Sequence, residues 1–210
     1  MEVRLSLEAT WWREGYRWVA GVDEAGRGAL FGPVVAAAVV LPPDVELDLL
    51  PRLADSKLLS PRVRESLLSQ IEKVALAVGV AAVSAAAVDH LGIQCANILA
   101  MQRALERLSP APDFVLVDGI GPCPRGYRAC AVVDGDRLCA SVSAASIVAK
   151  VTRDRLVTEL AAVFPGYGLE QHKGYGTAGH RRALEALGPT PLHRRSFAPV
   201  SLLCASDERS

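Results

Sequence analysis

At 210 residues, with 23 basic and 23 acidic side chains and a formal net charge of zero, the chain suits one domain with at most a small appendage and gives no global electrostatic argument for a polyanionic partner. Its five cysteines are odd in number and form no CxxC pair, which argues against a disulfide framework and a structural zinc site. The apolar stretches Val34 to Leu41 and Val74 to Val88 fall short of the ~20 residues that span a bilayer, and no apolar signal segment follows Glu2, so a cytoplasmic protein with no membrane association is expected.

Half of the residues are hydrophobic but only 5% are aromatic, which predicts a core of closely packed small residues. Trp18 to Asp23 reads as a strand running into a turn at Gly26 and Gly28. Val34 to Leu41 is an apolar run without alternation, stopped by Pro42 and Pro43, and suggests a strand buried on both faces. Ser60-Pro61 predicts a helix start, with Arg64, Leu67, Leu68, Ile71 and Val74 along the helix. Val74 to Ser84 reads as a third strand, and Asp89 to Leu108 as a helix ended by Ser109-Pro110-Ala111-Pro112. Phe114 to Val117 is a short strand ending at Asp118-Gly119. Ala129 to Val133 and Leu138 to Ala140 read as two strands around the turn Asp134-Gly135-Asp136. Ser143 to Val163, free of Pro and Gly, is a long helix closed by Pro165-Gly166, and Ala178 to Leu187 is a short one closed by Gly188. The order indicates an α/β domain. A boundary after Pro165 divides it into residues 1–165 and a helical C-terminal extension, 166–210. From Lys150 to Arg195 the chain has eight Lys or Arg against four Asp or Glu, enough for a local basic face.

Four carboxylates stand out by placement. Asp23 and Glu24 follow the apolar run Val19, Ala20, Val22, Asp118 ends a later strand, and Asp154 lies on the long helix. Strand ends in such a sheet share one edge, where these folds place their sites. Consecutive strand residues point to opposite faces, so Asp23 and Glu24 are expected to serve one site only if the strand ends or bends there. Read singly, Asp118 before Gly119 also suits a plain turn, and Asp154 between two arginines a solvated helix position. Converging carboxylates without His or Cys suit Mg²⁺ or Mn²⁺. Gly26, Gly28 and Gly32 give GxGxxxG followed by a strand, which is a poor dinucleotide fingerprint. These glycines suit either a tight turn or close backbone approach to a ligand such as a ribose 2′-OH. Tyr175, flanked by Gly174 and Gly176, suits stacking on a sugar or base, or simple packing. His172 and His180 are poorly spaced for a metal.

Taken together, Gly21 to Gly28 with Gly32-Pro33-Val34-Val35 resembles the opening signature of ribonuclease HII. The resemblance continues at Asp55-Ser56-Lys57, Asn97 to Met101, Val117-Asp118-Gly119, Ser143 to Asp154, His172 to Thr177 and His193 to Phe197, in order over roughly Trp18 to Val200. It implies a ribonuclease H-like fold, with a mixed five-stranded sheet flanked by helices and a helical C-terminal extension. It implies a metal-dependent endonuclease acting on RNA–DNA hybrid duplexes and on single ribonucleotides within duplex DNA, cutting on their 5′ side. Metal ligands would be Asp23, Glu24, Asp118 and Asp154. The Gly26-Arg27-Gly28 backbone would read the 2′-OH, Tyr175 would stack on the following sugar, and Lys57, Lys150, Ser143 and Ser146 would lie near the substrate. The related ribonuclease HIII usually carries an extra N-terminal domain and lacks the Gly-Arg-Gly pattern. A binding module with idle acids is the alternative of a different class.

Phe31 is bulkier than is usual for the family's loop, and Trp11-Trp12 lies outside the signature and reads as packing or a small apolar patch. A monomer is expected, and the tail after Val200 has no recognisable docking motif, which neither supports nor excludes a sliding-clamp partner.

Overall fold

The structure is a computed structural model in which residues 5–45, 53 and 59–207 are described. Lys57 therefore lies outside the described residues. A five-stranded mixed sheet is formed by β1 (Val19–Ala25), β2 (Val34–Val40), β3 (Ala77–Val83), β4 (Phe114–Asp118) and β5 (Ala129–Val132). Its order is β3-β2-β1-β4-β5, with β1 antiparallel to β2 and parallel to β4. All seven residues of β2 are buried, as its unbroken apolar run predicts.

Side-chain parity sorts the sheet into two layers. Ala20 and Val22 of β1 and Val115 and Val117 of β4 pack in one cluster with Ala100, Met101 and Ala104 of α4 (Ile93–Leu105). On the other face, Ala25, Ala37 and Val39 pack with Ile147 and Val148 of α6 (Ala140–Val163) and with Leu67, Leu68 and Ile71 of α2 (Pro61–Val74). Small residues permit the close approach. A Cβ on Gly21 would fall 2.2 Å from the Ser141 carbonyl carbon and the Val142 nitrogen of α6, and one on Gly79 would fall 2.1 Å from the Ala104 oxygen. Gly21→Ala must push β1 and α6 apart, backbone against backbone. We expect a stability loss on the order of 3 kcal/mol, read as a shifted urea midpoint.

Helix starts follow local chemistry. Ser60 Oγ accepts the Val63 amide at 3.4 Å ahead of Pro61, as expected. The single helix expected over Asp89 to Leu108 is instead two, α3 (Ala85–Leu91) and α4, because Ser84 caps the first and Gly92, at φ 76°, breaks the run. The strand expected over Leu138 to Ala140 is also replaced. Gly135–Leu138 forms a helical turn, α5, and α6 begins at Ala140. Glu8 of α1 (Ser6–Arg13) accepts the Ser141 amide at 2.8 Å and its hydroxyl at 2.7 Å, placing a carboxylate at the N-terminus of α6. Trp11 stacks on Phe114 with centroids 3.7 Å apart, so the packing role read for it holds.

Beyond Pro165 come α7 (Leu169–His172), α8 (Ala178–Leu187) and α9 (Val200–Asp207). This segment closes an apolar cluster of Leu30, Phe31, Val157, Leu169, Leu184 and Val200. Phe31 is fully buried there, with its ring 5.0 Å from that of His193. The bulky residue thus lies beneath the glycine loop and away from the open cleft. Among the described residues, no helix is long and apolar enough to cross a membrane.

Candidate active site

The parallel register pairs Val22 with Val117, so the next residues, Asp23 and Asp118, end neighbouring strands side by side. Both share the parity of the face toward α6. Glu24 points to the opposite face. The strand neither ends nor bends at Asp23, contrary to expectation, since pairing with β2 continues through Ala25 and Val35. The acids still share a site because β4 stops at Asp118, and the cleft wraps around the resulting sheet edge. One cavity is lined by Asp23, Glu24 and Asp118 together with Gly26, Arg27, Gly28, Ser146, Lys150, Tyr175 and Arg64. A second, on the α4 side, shares Glu24, Arg27 and Asp118 and adds Gln94 and Asn97.

Burial raises the Asp23 pKa well above the ordinary carboxylate value, and the charges of Glu24 and Asp118 add to it. Hydrogen bonds from Ser146 and from the Glu24 amide, the latter at 2.7 Å, oppose the shift. Glu24 is raised by burial, with Asn97 and Arg27 opposing, and Arg27 Nη1 lies 3.7 Å from its carboxylate. Buried, mutually repelling carboxylates are relieved by a cation. Their hard oxygens fit Mg²⁺ or Mn²⁺. Among the described residues, no three acid, histidine or cysteine side chains are gathered tightly enough to hold an ion as they stand.

Asp154 is not brought to the cavity wall. It accepts a 2.8 Å hydrogen bond from Lys150 Nζ and lies 4.0 Å from Arg64. Ser146, the α6 residue that bonds Asp23, is eight positions earlier, about 12 Å along the axis. A different acid lies close. Asp136 is 1% exposed, and its amide donates to Asp118 Oδ1 at 3.2 Å. In sequence, Asp134-Gly135-Asp136 reads as a turn between two strands, whereas Gly135–Leu138 is helical. Asp136 lies in the first turn of α5, just after the strand β5 that pairs with the Asp118 end of β4.

Ser143 is not at the cleft either. It is fully buried and donates to the Leu53 carbonyl at 2.5 Å, a structural contact. Gly26 and Gly28 differ in kind. Gly26, at φ 86°, leaves space filled by Arg153, whose Nε would sit 1.7 Å from a Cβ there. Gly28 is exposed and a Cβ there would meet nothing within 4 Å, and both glycines line the cavity.

Tyr175 is half-buried, with Lys150 Nζ 5.3 Å and Arg153 Cζ 5.2 Å from its ring centre. Its loop is held by histidines, whose roles the hydrogen bonds assign. The Thr190 amide donates to His193 Nδ1 at 2.9 Å, so His193 Nε2–H donates to His180 Nε2 at 3.0 Å. His180 Nδ1–H then donates to the Tyr175 carbonyl at 3.0 Å. Every step requires neutral rings. Burial lowers the His180 pKa and, with the charges of His180 and His172, brings His193 down to about 4. Depressed histidines contribute stability that is complete above the ordinary value of 6.5 and is lost as pH falls toward 4. Urea midpoints should therefore decline between pH 6.5 and 4, by on the order of 2 kcal/mol in stability, and His193→Gln should flatten that slope.

The Ribonuclease HII family model matches residues 20–200 of the chain. The ribonuclease HII of Syntrophotalea carbinolica is 53% identical over 188 residues, covering 90% of this chain and 88% of the relative. Among solved structures, the ribonuclease H2 of Pyrococcus horikoshii superposes with a TM-score of 0.76 at 27% identity, over 92% of this chain and 100% of that one. The ribonuclease HII of Archaeoglobus fulgidus, solved in complex with PCNA, gives 0.71 at 28% identity over 86% and 95%.

Proposed function

The chain belongs to the ribonuclease HII family, metal-dependent nucleases that act on RNA–DNA hybrids, and on that premise we propose that it also cuts 5′ of single ribonucleotides embedded in duplex DNA, leaving a 3′-hydroxyl and a 5′-phosphate. The observation that carries this reading is one cleft lined at once by the strand-end acids, the Gly26 to Gly28 loop and Tyr175.

In that cleft Asp23, Glu24 and Asp118 would hold Mg²⁺ or Mn²⁺, and we assign the fourth carboxylate to Asp136 in place of Asp154 on its contact with Asp118. Bound there, the ion supplies an activated water and charge stabilisation for the leaving oxygen. The exposed backbone at Gly28 offers hydrogen bonds to a ribose 2′-OH, which DNA lacks. Tyr175 offers a face for the adjoining sugar, so residues 166–210 act as a substrate-binding extension. Lys150 and Arg64, both on the cleft wall, present positive charge to phosphates, with Ser146 orienting Asp23.

Tyr175→Ala is expected to slow cutting at a single embedded ribonucleotide by about tenfold or more, from the usual worth of aromatic stacking. Glu185→Ala, at an exposed position of α8, should leave that rate unchanged. Equal rates for the two variants in single-turnover assays would remove the stacking role.

A further inference from the structure

We propose that Arg153, with Arg194 beside it, is a positioning residue that locks the substrate-reading loop and the Tyr175 loop into one frame with α6. The proposal rests on the reading of Gly28 and Tyr175 as substrate contacts.

Arg153 is fully buried, and its three guanidinium nitrogens are spent on backbone carbonyls from two separate loops. Nε donates to Pro33 and Nη2 to Phe31, both at 3.0 Å, and Nη1 donates to Lys173, also at 3.0 Å. The same group lies over the Tyr175 ring and fills the space that Gly26 leaves open. One rigid, planar fork therefore touches the loop that would read the 2′-OH, the loop that carries the stacking ring, and the helix that bears Ser146 and Lys150.

Arg194 repeats the pattern from the C-terminal side. It too is fully buried, donating from Nε to the Gly32 carbonyl at 3.1 Å and from Nη1 to the Arg27 carbonyl at 2.8 Å. Burial and the adjacent Arg153 charge bring its pKa down to about 10. Two like charges packed together and donating to carbonyls are an expensive way to stabilise a core. Apolar side chains of similar volume often do that as well or better. What apolar packing cannot supply is directional hold on the carbonyls of Arg27, Phe31, Gly32, Pro33 and Lys173. Lysine keeps the charge but loses the fork, so it separates the two roles.

The test is binding, in a cleavage-deficient Asp23→Asn background with Mg²⁺. Fluorescence anisotropy gives Kd for a DNA duplex containing one ribonucleotide and for the same duplex in all-DNA form. Their ratio does not depend on the fraction of protein that is active. In Asp23→Asn the ratio should favour the ribonucleotide. Adding Arg153→Lys or Arg194→Lys should shrink that preference by about tenfold, with affinity for the all-DNA duplex kept. A preference unchanged in both variants overturns the positioning role while leaving the 2′-OH reading intact. Loss of the folded far-UV signal in both variants would make the arginines fold determinants and also overturn it. No preference in Asp23→Asn itself would refute the 2′-OH reading, and the positioning role falls with it.

Discussion

Asp23→Asn is expected to remove most cleavage activity and, at neutral pH without divalent metal, to make the protein more stable. Asp23 ends β1 beside Asp118, almost wholly buried, with its pKa raised by burial and by two neighbouring acids. A carboxylate whose folded pKa is raised favours the folded state at low pH. That contribution is lost as pH climbs from the ordinary value of 3.8 through the raised one. Asn carries no charge to repel, so its variant should keep its melting temperature where the parent loses it. The gain should be on the order of 1 kcal/mol, or about 2–4 °C for a chain of this size. Adding Mg²⁺ should stabilise the parent more than the variant. Activity should fall by about 10²–10³ or more, the usual scale for removing one electrostatic contributor to a transition state. Thermal melts in chelator at pH 7 check the stability claim. A variant that melts below the parent would mean that the bonds from Ser146 and the Glu24 amide outweigh the burial of charge.

The fourth acid offers the second large effect. Asp136→Asn should remove most activity, as Asp118→Asn should, because Asp136 is buried with its amide on the Asp118 carboxylate. Asp154→Asn should keep activity to within about tenfold, the range for a half-buried charge that orients a partner. It removes the 2.8 Å bond to Lys150, leaving that ammonium freer to meet a phosphate, so the loss should be in chemistry rather than in binding. Steady-state rates for both variants on one hybrid duplex decide between them. An inactive Asp154→Asn beside an active Asp136→Asn would return the ligand role to the helix.

Much of the fold was legible because it is written in local chemistry. The unbroken run Val34 to Val40 specifies a doubly buried strand, and Ser60-Pro61 and Gly188 mark helix ends that the structure keeps. The break at Gly92 was missed because the apolar positions on either side continue at helical spacing. Strand ends pointed to Asp23, Glu24 and Asp118, but not to how two adjacent residues on opposite faces share a cleft. That depends on where β4 stops, which is a tertiary fact. We propose Asp136 rather than Asp154 as the fourth carboxylate on the same kind of tertiary placement. A long helix has no readable phase relative to a sheet until its start is known, and a short α5 hides in turn-like sequence. Ser143 lies one turn before Ser146 on α6, yet one is sealed under Leu53 and the other faces Asp23. The side-chain position that Gly26 leaves vacant houses Arg153, 127 residues away in the chain, a packing role that sequence does not reveal.

The most direct measurement is the cutting of a DNA duplex with a single embedded ribonucleotide in Mg²⁺, with its product ends mapped and an all-DNA duplex alongside. One nick on the 5′ side of the ribonucleotide, ending in a 3′-hydroxyl and a 5′-phosphate, absent from the all-DNA control and from Asp23→Asn, is the predicted result. A folded protein that leaves this duplex intact in both Mg²⁺ and Mn²⁺, or that cuts the all-DNA control equally well, would contradict the proposed 2′-OH recognition at the strand-end cleft.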